Sequence, residues 1–169
     1  IARPFIGEYP DFKRTANRHD YSLEPPGPTL LDLLKEKGLE TIAIGKINDI
    51  FAGKGITHSS SAKSNLDAMT QTVELLNRDF NGLCFVNLVD FDMLYGHRND
   101  IDGYAEAVSE ADEQLEIFMR GMREEDLLIV TADHGCDPGT ESTDHSREYV
   151  PLLMFGESIK SGVNLGTRE

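Results

Sequence analysis

The sequence predicts an α/β fold with a mainly parallel sheet and helices on both faces. Two short apolar runs, Leu83–Val89 and Leu127–Val130, have the length and composition of strands buried in a parallel sheet. Between such runs, apolar residues recur at three- and four-residue steps, which is the spacing of amphipathic helices. Strand and helix patterns therefore alternate along the chain, as in a sheet whose strands are joined by helices.

The N-terminal elements are predicted from turn and capping residues. Residues 1–28 are rich in Pro, Gly, Arg and aromatic residues without a sustained period, and we interpret them as loop or as the trailing edge of another domain. A first helix is predicted after Thr29, whose hydroxyl can cap it, and it closes at Gly38. A short strand follows at Thr41–Gly45.

Two longer helices precede the two apolar runs. The second helix begins at Ser64, and the third extends from about Ile101 to Met122. Each places its apolar residues on one face: Leu66, Met69, Val73 and Leu76 in the second, and Tyr104, Val108, Ala111, Leu115 and Phe118 in the third. The last predicted strand is Leu152–Phe155.

Composition restricts the classes of partner. The chain has 169 residues, of which 39% are apolar, enough for one sizeable core. Its net charge of -14 repels nucleic acid and anionic membranes, so neither is an expected partner. No apolar run approaches the ~20 residues of a membrane span. Because Cys84 and Cys136 do not make a disulfide framework, we expect a cytoplasmic protein.

Carboxylate and imidazole side chains follow the two apolar runs, where open α/β sheets bind their ligands. They are Asp90, Asp92 and His97 after the first run, Asp133 and His134 after the second, and His145 in the loop beyond. Oxygen and nitrogen ligands that converge from separate loops suit a divalent metal. Asp90 and Asp92 compete for one ligand role, and Asp92 is better spaced because His97 follows it by five positions, enough for a turn that brings both side chains to one ion. His19 and His58 lie in polar segments and are expected to face solvent.

Five segments occur in the order of a known family. They are Ile1–Phe5, Asn17–Tyr21, Asn87–Arg98, Thr131–Gly135 and Thr143–Pro151. With these motifs the chain resembles the C-terminal half of bacterial phosphopentomutases, a family of the alkaline phosphatase superfamily. An Asp-His-Gly motif alone is shared with phosphoglycerate mutases and phosphatases, but the ordered set is more specific and covers nearly the whole chain.

The resemblance implies two divalent metals, usually manganese, and an alkaline-phosphatase-like core. Asp133 and His134 would hold one ion, and the other would be held by Asp92, His97 and His145. The family also uses an N-terminal aspartate ligand and a threonine that carries the phosphoryl group. Both are expected upstream of Ile1, so the chain is expected to be a fragment that is inactive alone. Residues 1–25 would be the end of an inserted cap domain and its return linker, and residues 26–169 the C-terminal part of the core.

The implied reaction is an isomerisation that moves phosphate between the C1 and C5 oxygens of ribose or deoxyribose. It proceeds through a phosphorylated enzyme, with a sugar bisphosphate as activator, and two ions ~4 Å apart can clamp the attacking and leaving oxygens. An acidic protein needs local positive charge to attract a pentose phosphate. Lys46, just past a predicted strand, is the first candidate, followed by Arg14 and Arg18. The missing N-terminal half is the expected protein partner.

Two other functions remain open. The chain can belong to another enzyme of the same superfamily, such as a cofactor-independent phosphoglycerate mutase or a phosphodiesterase. It can also be a non-catalytic metal-binding domain, since these 169 residues contain no identified nucleophile. Assays with ribose 1-phosphate and 3-phosphoglycerate separate the first alternative, and an upstream Asp and Thr would exclude the second.

Overall fold

The computed structural model describes residue 2, residues 4–15 and residues 21–168. The strands are β1 (Phe5–Ile6), β2 (Lys13–Arg14), β3 (Glu40–Ile44), β4 (His58–Ser60), β5 (Gly82–Val86), β6 (Leu128–Thr131) and β7 (Leu152–Phe155). The α-helices are α1 (Leu30–Glu36), α2 (Ile47–Ile50), α3 (Asn65–Glu74) and α4 (Ile101–Gly121). A π-helix spans Phe91–Tyr95, and 3-10 helices span Leu75–Asn77 and Gly96–Arg98. The chain divides into two compact units, Ile1–Ser61 with Phe80–Asn87 and Ala62–Asp79 with Leu88–Glu169.

The first unit contains a three-stranded parallel sheet in the order β4-β3-β5. Four successive residues of the central strand, Thr41 to Ile44, are buried, as expected for a strand with neighbours on both sides. The predicted α/β class with a parallel sheet is thus confirmed. The sequence analysis missed β4 because His58, Ser59 and Ser60 are exposed and show no apolar pattern. His58 faces solvent as expected, and its Nε2 lies 3.0 Å from the Glu40 carboxylate.

Local capping signals predicted α1 correctly. The Thr29 hydroxyl accepts a hydrogen bond from the Asp32 backbone N–H, and the Thr29 N–H donates to the Asp32 carboxylate at 2.7 Å. This N–H lowers the pKa of Asp32, because it stabilises the charged form. At the other end, Gly38 has φ +75°, a left-handed conformation that glycine adopts without strain.

In the second unit, α3 packs against α4. Ser64 caps α3 as predicted, and Asp100 caps α4 by accepting a hydrogen bond from the Gly103 N–H at 3.0 Å. A Cβ at Gly121 would lie 2.6 Å from Cδ1 of Leu76, so the glycine permits close approach near the end of α4. None of the helices in residues 21–168 combines the length and apolarity that a bilayer span requires.

The pairing of β6 differs from the prediction. The Leu127 run was expected to be buried in a parallel sheet, but β6 pairs antiparallel with β7, and Leu127 and Ile129 are about half exposed. A parallel neighbour requires a crossover connection, whereas the chain between β6 and β7 contains no helix. An unbroken apolar run predicts a strand but does not predict the direction of its neighbour.

Part of the N-terminal segment, expected to be loop, forms a short antiparallel pair of strands. In β1 and β2, Phe5 pairs with Arg14 and Ile6 with Lys13, and the Phe5 and Phe12 rings meet edge to face at 5.1 Å. Strands of two residues are too short to produce a periodic pattern, so the sequence contained no signal for them.

Candidate metal centre

After β5, the side chains of Asp90 and Asp92 contact different partners. The Asp90 carboxylate accepts a hydrogen bond from the Asn65 backbone N–H at 2.7 Å, and the Asn65 side-chain oxygen accepts one from the Asp90 N–H at 2.9 Å. Asn65 is the first residue of α3, where the partial positive charge of a helix favours a carboxylate. Asp90 is therefore engaged by α3, whereas Asp92 is free to face the histidines.

Asp92 lies in the π-helix and forms a compact group with two histidines. Its Oδ1 atom is 3.2 Å from Nε2 of His97 and 3.1 Å from Nε2 of His145. One ligand atom from each residue lies within 4.8 Å of the other two. Ligands bound to one ion at about 2.1 Å are themselves about 3 Å apart, so this arrangement fits a divalent cation with oxygen and nitrogen ligands. Asp92 and His97 are about one-third exposed and His145 about half, which leaves the group open to solvent.

A backbone carbonyl determines which nitrogen of His97 faces Asp92. Nδ1 of His97 lies 2.5 Å from the carbonyl oxygen of Thr143. Because a carbonyl only accepts hydrogen bonds, Nδ1 is the donor in this contact. Nε2 is then the ring nitrogen that faces Asp92, and a hydrogen bond from Nδ1 to a carbonyl is the usual outer contact of an imidazole that binds a metal through Nε2.

Asp133 and His134 lie beside this group. The His134 ring stacks on the His145 ring with centroids 3.6 Å apart, and Oδ1 of Asp133 is 3.6 Å from Nε2 of His134. The structure therefore brings all five sequence-predicted metal residues together in the second unit. Only three form the compact ligand group, and Asp133 and His134 form an adjacent pair.

The loops that carry these residues are connected through Gly135. Its carbonyl accepts a hydrogen bond from the Ser146 N–H at 2.9 Å, which forms an antiparallel bridge between the residues after His134 and His145. A Cβ at Gly135 would lie 2.9 Å from the Ser146 backbone carbonyl oxygen, so a larger residue would force the two segments apart.

Cys136 also lies at the centre, in the loop that the sequence analysis associated with the metal site, although no ligand role was assigned to it. Its Sγ is 3.8 Å from Oδ1 of Asp92, and it occupies space that a side chain at Gly96 would fill. Burial, together with the nearby Asp92 charge, raises the pKa of Cys136, so it remains a neutral thiol. Burial also raises the pKa of Tyr104, with smaller contributions from Cys136 and Asp92.

The predicted phosphate-binding residues lie in the first unit or outside the described residues. Lys46 immediately precedes α2 and is half-buried. The preceding Gly45 has φ +83°, and a Cβ there would lie 2.7 Å from the Asn87 carbonyl oxygen. The backbone of Arg14 pairs in β2, but its side chain is not described, and Arg18 lies outside the described residues.

Comparison with known proteins agrees with a metal site. A family model described as the metalloenzyme superfamily matches residues 8–169. Curated relatives named phosphopentomutase include those of Lachnoclostridium phytofermentans, 62% identical, and Carboxydothermus hydrogenoformans, 64% identical. Each alignment covers all 169 residues of this chain but only 43% and 44%, respectively, of the relative. The chain thus spans less than half the length of these relatives.

Solved structures support the fold. A protein from Pyrococcus horikoshii has a TM-score of 0.61 and 19% identity over 76% of this chain and 41% of its own. A phosphoglycerate mutase from Leishmania mexicana, studied at low cobalt concentration, has the same score and identity over 78% of this chain and 32% of its own. At this identity the similarity establishes a shared fold and not a shared substrate.

Proposed function

Because this chain belongs to the metalloenzyme superfamily, we propose that it provides the C-terminal, metal-binding part of a phosphopentomutase. The observation that carries the proposal is the group formed by Asp92, His97 and His145, in a chain more than 60% identical to two relatives of that name. The activity is an isomerisation that transfers phosphate between the C1 and C5 oxygens of ribose or deoxyribose, with a sugar bisphosphate as activator.

The proposed cofactor is a pair of divalent ions, with Mn²⁺ as the first choice. Asp92, His97 and His145 would hold one ion, while Asp133 and His134 would contribute to the other. When bound, two such ions polarise phosphoryl oxygens and neutralise the charge that develops during transfer. The chain's own contribution is to present Nε2 of His97 and the Asp92 carboxylate in a fixed orientation.

Substrate binding is proposed for basic residues of the first unit and the N-terminal segment. Lys46 follows the central strand β3 of the parallel sheet, near the carboxyl end where α/β folds bind ligands. Arg14 and Arg18 are proposed to assist, in a segment of residues 1–25 that would end an inserted cap domain, with the core continuing over residues 26–169. Their guanidinium groups suit a phosphate anion. The phosphorylated threonine is proposed to lie in the part of the relatives that this chain does not span.

The proposed protein partner is that N-terminal part. The β6–β7 pair has large apolar side chains in water, including Ile129 at 50% and Leu153 at 62% exposure. Together with α4 it lines a groove of about 640 Å³. Exposed apolar surface of this kind is typical of a contact site. More than half of the length of each relative lies outside the part that matches this chain. We propose that this additional part covers the apolar surface.

The proposed location is the cytoplasm. Cys84 and Cys136 are both free thiols, as is usual in a reducing compartment. Small phosphorylated metabolites are the expected ligands, because the chain's charge of -14 disfavours polyanions.

A chimera tests the proposed function. The N-terminal part of the Carboxydothermus hydrogenoformans relative is joined to this chain and assayed with Mn²⁺, ribose 1-phosphate and a sugar bisphosphate. Formation of ribose 5-phosphate is expected, with loss of activity when His145→Ala is introduced. Activity on 3-phosphoglycerate instead would favour the phosphoglycerate mutase alternative, and Mn²⁺ binding without either activity would favour a non-catalytic metal-binding domain.

Lys46→Ala in the same chimera tests the phosphate-binding residue. We expect KM for ribose 1-phosphate to rise at least about 10-fold because a charge contact of about 1.4 kcal/mol or more is lost. Bound metal, measured by elemental analysis, should not change. The control is Lys54→Ala, which removes an exposed lysine paired with Glu24 and should leave KM unchanged. An unchanged KM in Lys46→Ala would show that this lysine only contributes surface charge.

A further inference from the structure

Asn99 makes an unusual set of hydrogen bonds next to the metal centre. It follows the 3-10 helix Gly96–Arg98 and has a left-handed backbone conformation, with φ 52° and ψ 34°. Its side-chain Nδ2 lies 2.6 Å from the Thr140 carbonyl oxygen, 3.2 Å from that of Ser142 and 3.3 Å from that of Pro138. One amide group therefore holds three carbonyls of a single loop.

The loop held by Asn99 is followed by Thr143, which contacts His97, and by His145, so it bears on two of the three grouped residues. One residue beyond Ser142, the Thr143 carbonyl accepts the hydrogen bond from Nδ1 of His97. Two residues further, the Nε2 of His145 lies 3.1 Å from Oδ1 of Asp92. Since His97 itself is only two residues before Asn99, the asparagine connects both histidine-bearing segments.

We propose that Asn99 is a positioning residue for the metal centre. It holds residues 138–142 so that the Thr143 carbonyl orients the His97 ring and His145 reaches Asp92. The proposal rests on the metal-binding role of these three residues in the proposed function. Outer hydrogen bonds of this kind orient metal-binding imidazoles and affect affinity without touching the ion.

The residue type agrees with this role in two ways. Asparagine adopts the left-handed conformation more readily than most residues, and its NH₂ group donates to carbonyls. Aspartate shares the shape and the backbone preference, but its carboxylate would face three carbonyl oxygens and repel them. Glycine tolerates the backbone and makes no side-chain bond. Aspartate and glycine therefore remove the hydrogen bonds in different ways.

The test measures Co²⁺ affinity by visible absorption in the full chain carrying Asn99→Asp or Asn99→Gly. Each variant is expected to bind Co²⁺ about 10- to 100-fold more weakly, the usual effect of losing such an outer hydrogen bond. The glycine variant adds no charge and should tolerate the backbone conformation, so it remains informative if the aspartate variant is unstable. The matched control is Asn164→Asp, since the Asn164 side chain uses its oxygen to accept from the Gly166 N–H and aspartate can do the same. Its affinity should stay within about 2-fold of the wild type, well below the expected effect.

A second readout is the hydrogen bond between Nδ1 of His97 and the Thr143 carbonyl, followed without metal by the hydrogen-exchange rate of the Nδ1–H in NMR spectra. The wild type should protect this proton, and the Asn99 variants should exchange it faster because the loop that carries Thr143 is no longer held. Wild-type affinity and unchanged exchange in both variants would overturn the role of Asn99 while leaving the proposed function intact. Failure of the wild-type chain to bind Co²⁺ through Asp92, His97 and His145 would instead contradict the proposed function.

Discussion

Asp90 and Asp92 are two residues apart, yet their carboxylates have different partners. Asp90 accepts the first N–H of α3, and Asp92 lies about 3 Å from two imidazoles. The π-helix that begins at Phe91 turns the chain between them, so that adjacent carboxylates point to different neighbours. One carboxylate therefore supports the fold and the other is available for chemistry.

This difference predicts opposite effects of two substitutions. Asp90→Ala should lower the free energy of unfolding by about 1–2 kcal/mol, because the N-terminus of α3 loses its carboxylate acceptor. Asp92→Ala should leave that free energy within about 0.5 kcal/mol and abolish Mn²⁺ binding at the three-ligand group. Urea unfolding and Mn²⁺ titration of both variants measure the two quantities. If Asp90→Ala abolished Mn²⁺ binding while Asp92→Ala did not, the assignment would be reversed.

Sequence reasoning selected the acidic and imidazole residues that the structure groups together, but it did not find the residues that hold them in place. Asp92, His97 and His145 were found because acidic and imidazole side chains follow strands, which is a local signal. The roles of Asn99 and Thr143 depend on where backbone carbonyls lie after the loops have folded. No residue pattern reports the position of a carbonyl, so these supports could not be predicted.

At the scale of elements, the best predictions came from capping residues. Thr29 and Ser64 begin α1 and α3 as expected, because the side chain that caps a helix is encoded within a few residues of it. The antiparallel pairing of β6 with β7 was not predicted, since it depends on the connection between the strands and not on the apolar run itself. The two-residue strands β1 and β2 pair with each other without a sequence pattern that predicts them.

Strand β5 contains a partly buried thiol, Cys84, that should make stability depend on alkaline pH. Burial raises the pKa of Cys84 from 9.0 to about 11. The unfolded chain therefore loses this proton at a lower pH than the folded chain. The stabilisation is fully present below pH 9 and is lost as the pH rises through about 11, a decrease of about 3 kcal/mol for two pKa units.

Cys84→Ala should remove this dependence. The variant is expected to be less stable at pH 8, because a buried side chain is shortened, but to lose less stability than the wild type between pH 9 and 11. Urea unfolding at several pH values compares the two slopes, and the titration of Tyr104 is common to both proteins. Equal slopes would indicate that the Cys84 thiol ionises at its ordinary pKa in the folded protein.

For the molecule as a whole, the important feature is apolar surface on a strongly acidic chain. A net charge of -14 favours solvation, yet Leu152, Leu153, Met154 and Phe155 of β7 are all exposed by 39% or more. The same strand contributes three residues to the groove beside α4. The chain spans less than half the length of its curated relatives. We therefore expect the apolar surface to contact the additional part that the relatives contain.

Leu153→Lys tests this assignment. Leu153 is 62% exposed in the chain, so the substitution should change the free energy of unfolding by less than about 0.5 kcal/mol. If the N-terminal segment covers β7, the lysine would bury an unpaired charge at the contact, which costs several kcal/mol. The purified variant is then titrated with the purified N-terminal part of the Carboxydothermus hydrogenoformans relative. Its association should be at least about 100-fold weaker than that of the wild type. The control, Leu66→Lys, changes a leucine of α3 that is 56% exposed and lies outside β6, β7, α4 and residues 1–25, and it should associate normally. Undiminished association of Leu153→Lys would show that β7 is not the contact surface, because a lysine there would remain in water.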